Sequence, residues 1–289
     1  MFSTTEEPRI VVRDIDLFPE MPGVEALQRE AWGCDDRDLV PPTIFAATLE
    51  VGSILVGAYD GSALVGFAYG FVGYESGRLT HHSHMLAVRP QYRNFNLGYK
   101  LKLAQRERVL AQGINRMTWT FDPLQSLNAH FNFGKLGALA DRYKIDFYGE
   151  ATSSFLHRIG TDRLWVSWPL DSRRVRERLR AGAGGKVSPP DFERAVTLVR
   201  VGANNEPQWD SSAGVPRAEL LCIEIPADIN ALQRESPGLA VRWREATRRA
   251  FTGAMASGYL VEEFHRPSRQ GRPAGVYLLS YGKGVEEFA

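Results

Sequence analysis

The sequence predicts an α+β fold, and three observations predict it. Ile54–Tyr59 and Leu64–Val72 are two strand-like runs joined at Asp60-Gly61, a pair typical of a hairpin turn. The segment 82–101 reads as a strand, a tight loop and a helix, and the segment 117–138 repeats that order. A hairpin beside strands that alternate with helices is typical of an α+β domain.

The first elements and the last strand of this domain are predicted from their apolar patterns. Ile10–Ile15 is predicted to be a strand, and Gly23–Trp32 a helix whose Val24, Leu27 and Ala31 share one face. The strand that closes the domain is predicted to include residues 146–148.

An anion-binding loop is predicted after the strand that ends at Val88. Pro90 disfavours helical backbone at the residue before it. A helical pattern of apolar residues begins at Leu97 and continues through Leu101 and Ala104. The connecting residues 93–98 include one arginine and no acidic residue. A helix N-terminus reached by such a loop favours a phosphate.

A second helix is predicted after the strand at 117–121. Asp122 is suited to the N-cap, Pro123 to the first helical position and Gln125 to the third. Gly137 is suited to the position just beyond the end of that helix.

At both segments the chain resembles the GNAT superfamily of acyl-CoA-dependent N-acyltransferases. In the first match a strand ends in Val-x-Pro and is followed by Tyr-Arg and by a loop that leads into a helix. In the second match a helix has an Asn near its start and ends in Lys-Leu-Gly. Asn94 and Asn96 stand where the family has glycines, and Asn is the residue that best replaces Gly in left-handed backbone. Phe133 stands where a tyrosine is usual. The matching residues are Val88, Pro90, Tyr92, Arg93, Leu97, Gly98, Asn128, Lys135, Leu136 and Gly137.

The resemblance implies the GNAT fold, a central mixed and mostly antiparallel sheet flanked by helices, over residues 1–160. It also implies acetyl-CoA or another acyl-CoA as co-substrate, with the pyrophosphate over the first turn of the helix. The residues expected to bind the coenzyme are Leu86, Ala87, Val88, Arg93, Asn94, Phe95, Asn96, Leu97, Gly98, Tyr99 and Asn128.

The strand before Val88 supplies a candidate general base. An amine with a pKa near 10.4 is neutral in only about one molecule in a few thousand at pH 7, so a positioned base helps, and histidine suits neutral pH. By strand alternation His82 and His84 share one face while His81 points away. His82 is the first choice as catalytic base, because some family members carry a Glu there, and His84 is a relay or substrate ligand. A structural role for these histidines and metal binding are the alternatives; we expect no metal.

Composition excludes several other classes of protein. Lys and Arg number 35 against 34 Asp and Glu, so no overall charge attracts nucleic acid or a membrane surface. No apolar run approaches transmembrane length, and the acidic start has no signal-type apolar region. We therefore expect a cytoplasmic protein that binds neither nucleic acid nor membrane. A homodimer is compatible with the sequence.

Residues 161–289 are predicted to form a smaller α+β portion. Its order of strand, helix, strand and strand echoes the second half of the GNAT domain and predicts a degenerate half-repeat without a phosphate loop. The arginines of 172–180 predict a solvated helix face, with contact to coenzyme phosphates or an acidic acyl group as the alternative. Four tryptophans are predicted to lie in the core: Trp119, Trp165, Trp168 and Trp243.

The leading function is an N-acyltransferase that moves an acetyl or succinyl-type group to a small amine. An amino acid is the first-choice acceptor, on the resemblance to long two-part amino-acid N-acyltransferases. Two alternatives stay open: a catalytically silent domain that binds acyl-CoA as a sensor or scaffold, and a peptide or protein N-acetyltransferase.

Overall fold

A computed structural model of the chain describes residues 8–16, 18–33, 35–149, 154, 157–182, 192–210, 212, 214–269 and 272–288. The chain forms two compact units, residues 1–117 with 152–158, and residues 118–151 with 159–289. No helix in the described ranges is both long and apolar enough to cross a membrane.

The first unit is built on a four-stranded antiparallel sheet. The strands follow the chain order, β1 (Ile10–Asp14), β2 (Ile54–Asp60), β3 (Ala63–Glu75) and β4 (Arg78–Val88). Its helices are α1 (Met21–Trp32), α2 (Pro42–Leu49) and α3 (Leu97–Ala111). The predicted hairpin is confirmed, and its two-residue turn is Gly61-Ser62, because Asp60 still pairs with Ala63.

The two faces of this sheet pack against different helices. Val24 and Leu27 of α1 and Phe45 of α2 are fully buried in one cluster with Phe67 of β3. Gly66 lies on the opposite face, where an added Cβ would meet Leu101 of α3 at 3.3 Å. The apolar face predicted for the first helix is therefore confirmed, and α3 occupies the other side of the sheet.

The second unit contains the remaining strands and helices. Its strands are β5 (Arg116–Phe121), which begins in the first unit, β6 (Leu139–Lys144), β7 (Arg163–Pro169), β8 (Val196–Val201), β9 (Pro207–Gln208), β10 (Leu220–Pro226), β11 (Tyr259–His265), β12 (Ser268–Arg269) and β13 (Arg272–Tyr281). Its helices are α4 (Ser126–Ala129), α5 (Arg173–Ala181), α6 (Ile229–Glu235) and α7 (Pro237–Ala256). Within this unit the sheet order is β5-β7-β6-β11-β13-β10-β8-β9.

Two segments of the second unit share one topology. The segment β5–α4–β6–β7 has the sheet order β5-β7-β6, and the segment β10–α7–β11–β13 has the order β10-β13-β11. They meet where Ala140 of β6 pairs with Val261 of β11. One residue later each strand has a bulge, at Asp141 and at Glu262. The two segments therefore match in order, in pairing and in the position of an irregularity.

Two of the predicted elements are wrong. Residues 145–148 form a turn in which Asp146 has φ 43°. The Asp146 carboxylate accepts a hydrogen bond from Arg248 at 3.1 Å, which stabilises the turn. The strand β6 therefore ends at Lys144. Asp122 is not a helix N-cap, since the helix begins at Ser126. The Asp122 carboxylate instead accepts from Leu124 N and from buried Arg244, both at short range, which holds residues 122–125 in a turn.

The side-chain environments of 173–180 and of one tryptophan also differ from prediction. Arg173 is exposed as expected, but Arg174 and Arg178 point inward and bind the Glu263 carboxylate. They also donate to Gly137 O at 3.0 Å and Gly134 O at 3.1 Å, so they satisfy carbonyls at the end of the preceding helix. Trp165 is only partly buried and lies under the guanidinium of Arg142, whereas the other three tryptophans are buried.

Candidate functional site

The predicted anion-binding loop leads directly into α3. Residues 90–95 form a short 3-10 turn, and Asn96 then adopts a left-handed conformation, with φ 58° and ψ 25°. The prediction that Asn serves in place of Gly is confirmed at Asn96 and not at Asn94, whose φ is not positive. Asn96 O accepts the N–H groups of Tyr99 and Lys100, and neither the turn nor the first turn of α3 contains an acidic residue.

The first turn of α3 has room for a close ligand. An added Cβ on Gly98 would meet only Leu86 Cδ2, at 3.8 Å. Leu97 is fully buried and anchors the turn, while Arg93 and Asn94 are exposed. Helix geometry leaves the first backbone N–H groups without intrahelical acceptors. This end of α3 can therefore donate to an anion such as a phosphate.

β4 carries the three histidines and a bulge. Gly70 of β3 pairs with Ser83, whereas Tyr69 pairs with Met85, so His84 is the extra residue. Bulges re-aim side chains and are common next to active sites. Beyond the bulge the alternation is reversed: Met85 joins the cluster of α1 and α2, and Leu86 turns toward Gly98 of α3.

His82 and His84 lie on one face, as predicted. Their ring centroids are 6.4 Å apart, and Phe71 lies against both at 5.6 and 5.8 Å. His82 is partly buried and His84 is exposed. Surrounding protein atoms nevertheless desolvate both rings.

Desolvation keeps both of these imidazoles neutral. It lowers the pKa of His82 to about 4, with smaller contributions from the charges of His84 and Lys102, and it also lowers the pKa of His84. A neutral imidazole is ready to accept a proton at pH 7. Holding that proton at pH 7 costs His82 roughly 4 kcal/mol, since its pKa is about 4. His82 is therefore suited to accept a proton only transiently.

His81 lies on the opposite face and is fully buried. Its Nε2 accepts from Gln105 Nε2 of α3 at 3.4 Å, and burial lowers its pKa to about 3. The fit depends on Gly70, because an added Cβ there would lie 2.4 Å from His81 Nε2. The prediction that His81 points away from the other two is confirmed.

The sequence did not reveal the polar residues buried beneath β4. Lys102, Gln105 and Ser83 are 3%, 0% and 4% exposed. The helical period placed Gln105 on the same face as Leu97 and Leu101, and strand alternation placed Ser83 beside His81. Both signals are present in the sequence, but glutamine, serine and lysine are residue types that are mostly exposed.

The helix of the second motif is short and irregular. α4 continues as a π-helix over His130–Lys135, and Gly137 follows at φ 71°, which confirms its role as the residue beyond the helix end. Asn128 is exposed on α4. Phe133 is fully buried and packs against Phe121 and Tyr277. Because phenylalanine has no hydroxyl group, Phe133 cannot act as an acid.

Two tyrosines near the end of β6, Tyr143 and Tyr148, have different surroundings. Tyr143 donates to the Asp162 carboxylate at 2.6 Å; burial raises its pKa well above the usual value, and Asp162 adds to the rise. The Tyr148 hydroxyl lies 3.2 Å from Thr120 Oγ1 and its side chain is 41% exposed. The Tyr148 side chain is therefore the more accessible of the two.

Comparison with known proteins finds a family that matches part of the chain. Residues 21–137 match the family model described as the acetyltransferase (GNAT) family. Over these residues the chain is similar to the GNAT acetyltransferases. No curated protein matches the chain significantly.

Several solved structures resemble the chain weakly. One is the ribosomal-protein-S18-alanine N-acetyltransferase from Escherichia coli, at 12% identity and TM-score 0.44 over 56% of this chain and 94% of that one. Another is the aminoglycoside 6'-N-acetyltransferase from Enterococcus faecium, at 17% identity and TM-score 0.42 over 56% and 98%. The protein yncA from Salmonella typhimurium, in a structure with its cofactor acetyl-CoA, has 15% identity and TM-score 0.46 over 63% and 98%. Likeness at this level says nothing about the substrate of this chain.

Proposed function

We propose that the chain transfers an acetyl or succinyl-type group from acyl-CoA to the amine of a small molecule, with an amino acid as the first acceptor to test. One observation carries the proposal. β4 leads into the N-terminus of α3, which is suited to bind an anion. Six residues before Val88, the last residue of β4, lies His82, which is neutral and adjacent to His84. The candidate anion site and the candidate base therefore lie on one continuous segment, residues 82–99.

The coenzyme is held by the residues at the end of β4 and the start of α3. The pyrophosphate accepts backbone N–H groups of Leu97 and Gly98, Tyr99 completes the same turn, and Arg93 adds a positive charge at the rim. Leu86, Ala87 and Val88 line the pantetheine arm. Asn94, Phe95 and Asn96 shape the loop around the phosphates.

The chemistry is direct attack on the thioester carbonyl. The neutral amine attacks, His82 takes a proton from the nitrogen, and His84 passes that proton on to solvent or orients the acceptor. Backbone N–H groups at Ala87 or Val88 polarise the carbonyl oxygen. The thiolate leaves at a cost near 2 kcal/mol at pH 7, so Phe133 in place of a tyrosine does not abolish activity.

We also propose that the C-terminal portion, residues 161–289, is a degenerate half-repeat of the domain's second half. The shared topology and the bulges at Asp141 and Glu262 support it. A domain boundary at residue 160 falls between β6 and β7, which pair with each other. A boundary just after Pro169 keeps that pair within one domain.

Release of coenzyme A tests the proposed function. Acetyl-CoA and succinyl-CoA are each supplied with a panel of free amino acids, simple amines and peptides, and the free thiol is detected by colour. We expect release that depends on an amino acid. Coenzyme binding without release for any amine would establish a sensor or scaffold, and faster release with peptides would overturn the small acceptor.

A further inference from the structure

Four aromatic rings of β3 and β4 lie in contact on one face of the first unit's sheet. Phe71 lies 5.6 Å from His82 and 5.8 Å from His84, and the two histidines are 6.4 Å apart, all measured between ring centroids. The ring of Tyr69 lies 6.1 Å from Phe71 and 6.5 Å from His84. We call these four residues the aromatic face.

The pairing of β3 with β4 explains why these rings converge. Tyr69 and Phe71 are two residues apart on β3, so their side chains point to the same side of the sheet. Phe71 pairs with His82, which places those two side chains next to each other. His84 is the extra residue of the bulge and precedes Met85, the partner of Tyr69. Two neighbouring strands therefore build the whole aromatic face.

The aromatic face is anchored at one end and accessible at the other. Tyr69 is buried and packs against Phe45 of α2, with 4.7 Å between the ring centroids. Phe71 and His82 are partly buried, and His84 is exposed. The buried ring therefore supports the other three, and these present part of their surface to a ligand.

The aromatic face is electrically neutral at pH 7. The pKa values of His82 and His84 are lowered, whereas a carboxylate in contact with either ring would raise them. A charged side chain placed against neutral rings loses hydration and gains no ion pair. An aromatic ring placed about 4.5–7 Å from the others makes favourable ring contacts. The aromatic face therefore favours an aromatic group over a charged one.

We propose that the aromatic face binds a ring on the acceptor, so that the preferred substrate is an amine with an aromatic side chain. This inference rests on the proposed function, in which His82 takes a proton from the acceptor nitrogen. That nitrogen must lie within hydrogen-bond reach of His82, and the rings of Phe71 and His84 are 5.6 and 6.4 Å from it. A ring joined to the amine through two carbons can therefore lie against Phe71 while the nitrogen reaches His82.

Acceptor specificity of the full chain tests the proposal. Coenzyme A release from acetyl-CoA is compared for phenylalanine, for cyclohexylalanine of similar size, and for glutamate and lysine. The same comparison is made with 2-phenylethylamine and 2-cyclohexylethylamine, which lack the carboxylate. We expect kcat/KM for the aromatic compound to exceed that for its cyclohexyl partner about 2- to 10-fold, the worth of one aromatic pair. An equal or higher kcat/KM for the cyclohexyl compounds, glutamate or lysine overturns the proposal.

Phe71→Leu removes the central ring of the aromatic face and keeps an apolar side chain. The ratio of kcat/KM for phenylalanine to that for cyclohexylalanine should fall at least about twofold. Tyr74→Leu is the matched control, because Tyr74 lies on the opposite side of the same strand and is 76% exposed. Its ratio should equal that of the parent. An unchanged ratio in Phe71→Leu, or an equal fall in both variants, contradicts the proposal.

The acyl group is the other source from which a ring could reach the aromatic face. Benzoyl-CoA is therefore compared with acetyl-CoA as the donor, with alanine as the acceptor. We expect release from benzoyl-CoA to be no faster. Faster release from benzoyl-CoA, without any preference for aromatic acceptors, would assign the aromatic face to the acyl group and overturn the proposal.

NMR of the histidine ring protons measures binding without turnover. Titration with 2-phenylethylamine should shift the signals of His82 and His84, and 2-cyclohexylethylamine should shift them less. The signal of His81, on the buried face of β4, is the reference. If the parent protein releases no coenzyme A with any amine, the proposed function fails, and this titration alone decides whether the aromatic face binds a ring. Equal shifts with the two amines, or none with either, overturn the proposal.

Discussion

The two faces of β4 place the same residue type in opposite settings. His81 is fully buried and held by Gln105 of α3, whereas His82 and His84 lie beside Phe71 on a face that solvent reaches. Burial suppresses protonation of all three, but only the second face leaves a ring open to a substrate. A lowered pKa therefore does not mark a catalytic histidine unless accessibility accompanies it.

The largest expected effect separates these two faces. His82→Ala should lower kcat by roughly 10²-fold or more and leave affinity for acyl-CoA nearly intact, because it removes a proton acceptor and not a coenzyme contact. Steady-state coenzyme A release and calorimetric titration with acetyl-CoA measure the two quantities. His81→Gln is the matched control on the buried face. It should lower the free energy of unfolding and change kcat little, and equal losses of kcat in both variants would show that the two faces do not differ in function.

The coenzyme end of β4 is probed next, at Gly98. Gly98→Val should weaken acyl-CoA binding by about tenfold or more, because a branched side chain would block the approach of a phosphate to the backbone. Arg93→Ala should weaken binding only about 2- to 5-fold, since the side chain is exposed. Gly98→Ala is the control for the stability of the free protein. The added Cβ would lie 3.8 Å from Leu86, an ordinary contact distance, so the thermal unfolding midpoint should not change. Unchanged affinity in all three variants would place the coenzyme elsewhere.

The buried face is tested by two glycines of β3. Gly70→Ala should lower the free energy of unfolding by about 1–3 kcal/mol, because its Cβ would lie 2.4 Å from His81 Nε2 and 2.7 Å from His82 O. Gly73→Ala is the control on the same strand, since its nearest neighbour would be Thr80 Cγ2 at 3.6 Å. Urea unfolding compares them, and equal stabilities would mean that His81 is loosely held.

The last test is the dependence of stability on pH. The folded pKa values of about 3 for His81 and about 4 for His82 lie below the unfolded value of 6.5, so the unfolded chain binds protons first as the pH falls. Stability should therefore fall from about pH 6.5 down to about pH 4 for His82 and about pH 3 for His81, by at most about 1.4 kcal/mol per pH unit for each. Urea unfolding at pH 7, 6 and 5 measures the slope. His81→Gln should flatten it, and an unaltered slope would show that His81 is not desolvated.

The sequence predicted strands β1 to β4, the hairpin and the start of α3, because these depend on local patterns. It could not predict the bulge at His84, since an extra residue in a strand is visible only against its partner. The burial of Lys102 and Gln105 and the inward turn of Arg174 and Arg178 depend on partners distant in the chain. The placement of the coenzyme and the role of His82 remain predictions.

A crystal structure of the chain with bound acetyl-CoA, or with an analogue that resists hydrolysis, tests the central claim most directly, because it shows which face of β4 meets the acyl group. We expect the pyrophosphate over residues 93–99 and the acyl carbonyl on the side of His82 and His84. A coenzyme bound away from the start of α3, or an acyl group with no approach to that face, would contradict the account.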